Sequence, residues 1–303
     1  MQGFTGCLSP LRLASSLGGQ LHHVDVRPRL APRASSPTGT SAAVRVSPLC
    51  LGAMNFGDAY KERMGECTKE TAFEYLIIFF SQGGNFIDTS NREWMATRKN
   101  RDQIGLIPSN GSKSMRLSLE ESLRRLQTSY VDVFYLHWCD YPTSIEELMH
   151  SLNDLVLSGN VLHLGIFDTP ARVVARANQY ARSNGLRQFS VYQGIGTIIP
   201  MCRAEGMGIC PYGVLNQGQF QTEDGCRKSV ASHQHDKDVF RIINVALAYV
   251  FPIVGGRTLE HIKGNIAGLS LALTKKDIEH IESAYRFDPG SAHVSQRQSS
   301  EGS

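Results

Sequence analysis

Apolar residues along the chain follow two spacings, one typical of helices and one typical of buried strands. The clearest helical segment is 144–160, where Leu148, Met149 and Leu152 fall on one face. The same spacing predicts further helices over 68–84, 117–130, 169–185 and 275–285. Short apolar runs, rich in β-branched and aromatic residues, predict strands over 44–57, 85–90, 130–138, 161–169, 189–194, 207–215 and 251–256.

This alternation of strands and helices predicts an α/β fold built on a parallel sheet. It runs from residue 44 to residue 289 without a second composition regime, so we expect one domain over 44–289. Eight strand–helix units of this size close into a (β/α)₈ TIM barrel. An open doubly wound sheet is the alternative, but no G-x-G-x-x-G follows the first strand.

The two ends of the chain differ from the rest in composition. Residues 1–43 are rich in Ser, Pro, Gly and Arg, which is typical of a transit peptide or of a disordered leader. The Ser/Gln/Gly-rich tail over 290–303 has the composition of a disordered segment. We therefore expect the leader, 1–43, and the tail to contribute nothing to the fold.

Composition and charge narrow the classes of function. The chain has 303 residues, 41% hydrophobic and 19% charged, with a net charge of +3, which is too mild to indicate nucleic-acid binding. Its apolar runs are too short to span a membrane. Its seven cysteines form no C-x-x-C pair, which favours reduced thiols and a cytoplasmic location. We expect no metal site.

Polar residues and glycines follow most of the predicted strands. In a barrel the chemistry collects at the carboxyl ends of the strands, so these residues are candidates for one site. They are Asn55, Asp88, His137, Asp168, Gln193, Tyr212, Gly255, Gly256 and Arg257.

Several of these segments resemble the aldo-keto reductase superfamily. The segments are GGNFIDTS, YVDVFYLHW, SGNVLHLGI, FSVYQG and PIVGGRTLEHIKGNI, and they occur in the family's order. The phrases VSPLCLGAMNFG and DTPARVVARANQYAR are similar to the fungal aryl-alcohol dehydrogenase and norsolorinic acid reductase branch. The resemblance covers roughly residues 44–288. It implies a (β/α)₈ barrel that binds NADPH and reduces a ketone or aldehyde to an alcohol.

The resemblance also implies a role for each matching residue. Asp88 and His137 match two of the four catalytic groups, and Asp88 also lies at the cofactor. Gln193 would hold the nicotinamide amide, and Tyr212 would stack on the nicotinamide ring. The adenosine end of the cofactor would meet another group of residues, which comprises Gly255, Gly256, Arg257 and Asn265. The positive charge of Arg257 would favour NADPH over NADH.

The other two catalytic groups of the family are absent. Glu93 stands in the place of the tyrosine that donates the proton, and Ser109 stands in the place of the lysine that lowers the pKa of that tyrosine. A serine that usually contacts the cofactor is replaced by Phe167. The chain is also short around the second, sixth and seventh helices, which predicts an incomplete barrel. Tyr135, two residues before His137, is a candidate replacement donor or ordinary barrel filling, and Tyr60 with Lys61 is a second candidate or a solvated loop.

Two functions follow from these observations. The first is an NADPH-dependent reductase of fungal secondary metabolism, weak in activity, whose partner is a small carbonyl compound of polyketide or meroterpenoid type. The second is a catalytically inactive barrel that binds nucleotide or a pathway partner. We expect no nucleic-acid or membrane partner for either.

Overall fold

The structure is a computed structural model that describes residues 5–7, 37–39, 42–57, 61–90, 110–194, 198–214, 249–270, 274–276 and 279. Its strands are β1 (Thr5–Cys7), β2 (Pro37–Gly39), β3 (Ala42–Arg45), β4 (Cys50–Gly52), β5 (Ile87–Ser90), β6 (Val131–His137), β7 (Val161–Phe167), β8 (Phe189–Gln193), β9 (Gly208–Cys210) and β10 (Ile253–Val254). Its helices are α1 (Lys61–Met64), α2 (Lys69–Ser81), α3 (Ser112–Leu126), α4 (Ile145–Leu157), α5 (Ala171–Ser183), α6 (Ile199–Glu205) and α7 (Leu259–Gly268).

Helices α2 and α4 begin where the sequence supplies a side-chain cap. Ser144 caps α4 by accepting a hydrogen bond from the backbone N–H of Glu147 at 3.1 Å, and Thr68 caps α2 in the same way. Helix α3 begins five residues before the predicted start at 117, because Met115 extends its buried face toward the N-terminus. The predicted helix over 275–285 lies almost entirely outside the described residues.

Eight of the ten described strands form one sheet whose two edges meet, while β2 and β3 form a separate antiparallel pair. Eight strands hydrogen-bond in the order β10-β4-β5-β1-β6-β7-β8-β9. The segment that leads into β10 also bonds to β9, because the N–H of Ile209 donates to the carbonyl of Tyr249 at 2.9 Å and the N–H of Phe251 donates to Ile209 at 2.8 Å. Strand β10 also pairs in parallel with β4. The segment around β10 therefore joins β9, at one end of the strand order, to β4 near the other. The prediction of a (β/α)₈ TIM barrel is confirmed.

One strand of this ring comes from the leader. Strand β1 pairs antiparallel with β5, where Cys7 faces Asp88, and with β6, where Thr5 faces Tyr135. The expectation that the whole leader stays outside the fold is therefore wrong for Thr5–Cys7, and also for Pro37–Gly39, which pairs with β3. The physical reason is that β5 and β6 each present an edge of backbone N–H and C=O groups that a strand between them must satisfy.

Other predictions about the ends and gaps of the chain lie outside the described residues. These include residues 8–36 of the leader, the tail over 290–303 and the third strand expected near 101–109. The second and seventh helices would fall in 91–109 and 215–248, which are also outside. The sixth helix, predicted to have little room, is the seven-residue α6.

The buried residues form three clusters that the strand alternation explains. Inward-facing residues fill the barrel interior; they are Val46, Cys50, Phe86, Val133, Tyr135, Val191, Cys210 and Phe251. Phe134 and Leu136, which alternate with Val133 and Tyr135 on β6, pack outward under α3, α4 and α5. A third cluster joins β4, β5 and β10 to α2 and α7. Among the described residues, no helix has the length and apolar character needed to cross a membrane.

Candidate functional site

Three candidate side chains lie at the carboxyl ends of adjacent strands. His137 ends β6, Phe167 ends β7 and Gln193 ends β8, and the pairing register places His137 beside Phe167 and Phe167 beside Gln193. These positions continue the inward-facing series of each strand, since residues two apart point to the same face. Asp88 enters from β5 on the same inner side. The structure therefore brings the predicted groups to one end of the barrel.

Asp88 and Gln193 are linked across the barrel mouth. The side-chain amide Nε2 of Gln193 donates to Oδ2 of Asp88 at 3.4 Å. Gln193 is 5% exposed, and its Oε1 is buried without a hydrogen-bond partner in the structure. A buried carbonyl oxygen that lacks a donor is costly, which indicates that an external N–H group completes this position.

A stack of three rings lies beside Gln193. The Phe167 ring lies 4.4 Å from the His137 ring, centroid to centroid, at an interplanar angle of 24°. The Phe167 ring also stacks on the Tyr212 ring, with 5.4 Å between the centroids and an interplanar angle of 13°. Because β7 lies between β6 and β9 in the sheet, Phe167 is the middle ring of the stack.

The backbone around this stack is held in an uncommon conformation. Trp138 follows His137 with φ 69°, and Asp168 follows Phe167 with φ 41°, both in the left-handed region. Such conformations in residues other than glycine cost energy and cluster at functional sites. Asp168 is fixed further, because Tyr212 donates its hydroxyl hydrogen to Oδ2 of Asp168 at 2.8 Å and the N–H of Asp168 donates to Gln193 at 3.0 Å.

The residues after β10 form a second cradle. A side chain at Gly256 would place Cβ 2.5 Å from Cβ of His261 and 2.7 Å from the hydroxyl of Tyr75, so only glycine fits there. Arg257 is exposed, and its guanidinium lies directly over Gly65, where any side chain would collide with it. Gly255 is exposed beside them. The exposed backbone of Gly255 thus lies next to the positive charge of Arg257.

Helix α7 starts at this cradle and points its N-terminus toward it. The first N–H groups of a helix attract anions. Glu260 already uses part of this field, since a backbone N–H and the Thr258 hydroxyl hold the pKa of its carboxyl below the usual value. Farther along α7, Nδ2 of Asn265 is buried and has no hydrogen-bond partner in the structure. The two ends of the candidate site thus each present an unsatisfied amide group.

Several predicted residues remain untested or take another place. Glu93, Ser109 and Tyr60 lie outside the described residues. Lys61 is exposed and pairs with Glu66 at 2.7 Å. Tyr135 is 2% exposed and donates its hydroxyl hydrogen to Sγ of Cys210 at 3.6 Å, inside the barrel rather than at its mouth.

Sequence reasoning missed the arrangement of Phe167. It treated Phe167 only as the loss of a cofactor-binding serine, whereas the ring fills the space between two neighbours. The signal was present, because the alternation in VLHLGIF makes Gly165 and Phe167 the last two inward positions of β7. A large ring at the last inward position must occupy the barrel mouth.

The residues fit the two ends of NADPH unequally. Gly255, Gly256 and Arg257, with Asn265, fit an adenosine that carries a 2′-phosphate, because they combine open backbone, positive charge and an unsatisfied amide. The nicotinamide end does not fit in the same way. Gln193 offers a free acceptor, but Phe167 covers the face of Tyr212 on which a planar ring would stack.

Comparison with other proteins agrees with this picture. The profile of the Aldo/keto reductase family matches residues 95–286. Among similar proteins, norsolorinic acid reductase B of Dothistroma septosporum is 50% identical over 84% of this chain and 82% of its own length. An aryl-alcohol dehydrogenase of Pestalotiopsis microspora is 44% identical, over 84% of this chain and 82% of its own length. The aldo-keto reductase ausK of Emericella nidulans is 39% identical, over 85% of this chain and 82% of its own length.

The alignment with the Dothistroma protein also shows where the chains differ in length. It extends over 321 residues although it covers 84% of a chain of 303 residues. The relative therefore carries segments that have no counterpart here, which confirms that internal segments are missing. With more than half of the residues matched by the family profile, and relatives of this identity, the chain belongs to the Aldo/keto reductase family.

Proposed function

We propose that the chain is an NADPH-dependent reductase that converts a ketone or aldehyde of fungal secondary metabolism to an alcohol, at a low rate. The observation that carries the proposal is the convergence of Asp88, His137 and Gln193 at the carboxyl ends of their strands, beside the glycine and arginine cradle that precedes α7. The names of two relatives, a norsolorinic acid reductase and an aryl-alcohol dehydrogenase, support the reaction class.

His137 is the group we assign to orienting the substrate carbonyl. Its ring lies at the barrel mouth, at the end of β6, on the same inner side as Asp88. The proton that the alkoxide product requires has no assigned donor among the described residues of the site. A carboxylate at Glu93, with an ordinary pKa of about 4.3, would be ionised at neutral pH and could not supply it. This is the reason for proposing a low rate.

An aromatic substrate suits the rim of the barrel. Trp138 and Tyr141 follow β6 and are 44% and 62% exposed, although large aromatic rings are usually covered. Their loop is held firmly, since Asp140 accepts hydrogen bonds from the backbone N–H of Asn110 at 2.6 Å and of Thr143 at 3.1 Å. Two exposed rings on a fixed loop provide a stacking surface for a polyketide or meroterpenoid ring system.

The cofactor assignment is tested by binding. We expect NADPH to quench protein fluorescence at lower concentration than NADH does, and Arg257→Ala to remove most of that difference. The loss of one charge-assisted contact, about 1.5–3 kcal/mol, corresponds to roughly a tenfold to hundredfold weaker affinity for NADPH. Arg116→Ala, which removes an exposed arginine of α3, is the matched control and should leave both affinities unchanged. Equal affinities of the wild type for the two cofactors would refute the role of Arg257.

The activity is tested with NADPH and a simple aromatic aldehyde. We expect turnover roughly a hundredfold to ten-thousandfold below that of a relative with an intact proton donor. The double substitution Glu93→Tyr with Ser109→Lys should recover little, whereas restoring the missing segment together with both residues should recover far more. Nucleotide binding without any turnover in all versions would instead support the inactive, nucleotide-binding barrel.

A cytoplasmic location accompanies this proposal. Four cysteines of the described part are free and buried, and they are Cys67, Cys139, Cys202 and Cys210. Free thiols are usual where the surroundings are reducing. Burial raises the pKa of Cys210 to about 12, so this thiol stays protonated and unreactive at neutral pH.

A further inference from the structure

The stack of His137, Phe167 and Tyr212 leaves no free ring face at the inner side of Tyr212. The Phe167 ring is close to parallel with both neighbours, at 24° to His137 and 13° to Tyr212. A planar ligand ring that stacks on this face of Tyr212 needs the space that Phe167 fills.

The surroundings of Phe167 determine how that space can open. Its carbonyl accepts a hydrogen bond from the N–H of Trp138 at 3.1 Å, and its backbone pairs with His137 and Gln193 on the two neighbouring strands. Tyr212 is tethered by its hydroxyl to Asp168 at 2.8 Å. Since the backbone and the tyrosine are both held, rotation of the Phe167 side chain is the movement that frees the ring face.

We propose that Phe167 is a built-in competitor for the nicotinamide ring, so that the protein holds NADPH by its adenosine end and admits the ring only when Phe167 rotates away. This inference rests on the cofactor site of the proposed function. It assigns Phe167 a positioning role in the ligand site.

The size of the effect follows from the two ring contacts. Aromatic pairs contribute beyond their buried area, and the energy of the Phe167 stack must be recovered by any ligand that displaces it. When the competent conformation is a minor fraction, the observed affinity falls by that fraction. For two stacked contacts we expect a reduction of roughly tenfold in the affinity of the nicotinamide end.

The test compares NADPH with 2′-phospho-ADP-ribose, which lacks only the nicotinamide ring. Titration calorimetry on the wild type should give affinities for the two ligands within about threefold of each other, because the ring gains little net energy. In Phe167→Ser and in Phe167→Ala the affinity for NADPH should rise by roughly tenfold, while that for 2′-phospho-ADP-ribose should stay the same. Phe167→Leu, which keeps most of the side-chain volume, should gain less than either.

The outcomes separate this inference from the proposed function. Binding of 2′-phospho-ADP-ribose shows that a variant is folded, and the wild-type comparison needs no variant at all. NADPH that binds the wild type far more tightly than 2′-phospho-ADP-ribose would overturn the role of Phe167, as would unchanged NADPH affinity in both small variants. Failure of the wild type to bind either ligand would overturn the cofactor site itself.

Discussion

Tyr135 offers a direct test of whether the barrel interior contains a replacement proton donor. It lies two residues before His137 on β6, but its ring is packed against Gly165, where a Cβ would come within 2.5 Å of a ring carbon. Burial, together with the neighbouring Cys210, raises the pKa of its hydroxyl far above 10. We interpret Tyr135 as part of the core, and we therefore expect Tyr135→Phe to leave the rate of carbonyl reduction unchanged.

The magnitudes follow from what each substitution removes. Tyr135→Phe keeps the ring and loses one hydrogen bond to a thiol, a weak acceptor, so we expect a cost below about 1 kcal/mol in the free energy of unfolding. Tyr135→Ala removes a fully buried ring, and the cost for such a truncation is about 3–5 kcal/mol. For a chain of this size, whose unfolding entropy is about 0.6 kcal/mol/K, the second change lowers Tm by roughly 5–8 °C.

Both quantities are measured on the same preparations. Urea unfolding gives the free energy, and NADPH oxidation with an aromatic aldehyde gives the rate. Tyr192→Phe is the matched control, because Tyr192 is also buried, and its hydroxyl donates to the carbonyl of Thr169 at 2.9 Å. A proton donor contributes roughly a hundredfold or more to the rate. A loss of that size in Tyr135→Phe, with stability preserved, would show that Tyr135 is the donor and that our interpretation is wrong.

Two further predictions concern stability. Gly6→Pro should lower the free energy of unfolding by about 2–3 kcal/mol and increase amide exchange at Thr89 and Phe134, because proline has no N–H to donate and its ring disturbs the pairing on both sides of β1; unchanged exchange would mean that β1 does not pair there. Glu121 accepts hydrogen bonds from Arg124 and Arg125 at 2.5 and 2.6 Å, which lower its pKa to about 2. Because the folded pKa lies below the unfolded value of about 4.3, this stabilisation is present above pH 4.3 and is lost as the pH falls toward 2. The Tm difference from Glu121→Gln, roughly 1–3 °C at pH 6, should shrink over that window, and a constant difference would contradict the assignment.

Periodicity alone predicts the elements that carry both their own cap and a wide apolar face. Helix α4 is the clearest example, since Ser144 caps it and Leu148, Met149 and Leu152 bury one side. Strand β6 is similar, because its alternation separates the interior from the helix layer. Strand β1 could not be found in this way. TGC is only three residues long and has a glycine, which strands disfavour, at its centre, and its pairing is decided by the open edges of β5 and β6, whose residues lie far away along the chain.

In the candidate site, too, the sequence predicts some features and not others. Positions at strand ends, such as Asp88, His137 and Gln193, follow from the order of strands once a barrel is assumed. The contacts between their side chains do not, because they depend on how rings fill the space at the barrel mouth. Phe167 illustrates this limit. The alternation of the sequence shows that it points inward, but its two stacking partners, His137 and Tyr212, come from β6 and from the turn after β9.

The position of β1 has a consequence for synthesis on the ribosome. Thr5 leaves the ribosome about 130 residues before its partner Tyr135, which at ordinary elongation rates is a delay of roughly 7 to 26 s. During this time the gap between β5 and β6, which β1 fills, has not yet formed. When β6 emerges, the unpaired edges of β5 and β6 are exposed until β1 pairs with them. A leader from a neighbouring nascent chain could enter first, because backbone pairing of this kind is open to an identical strand of another chain. Slower synthesis, or a higher density of ribosomes on one message, should therefore raise the proportion of folded protein in which two chains have exchanged their leader strands.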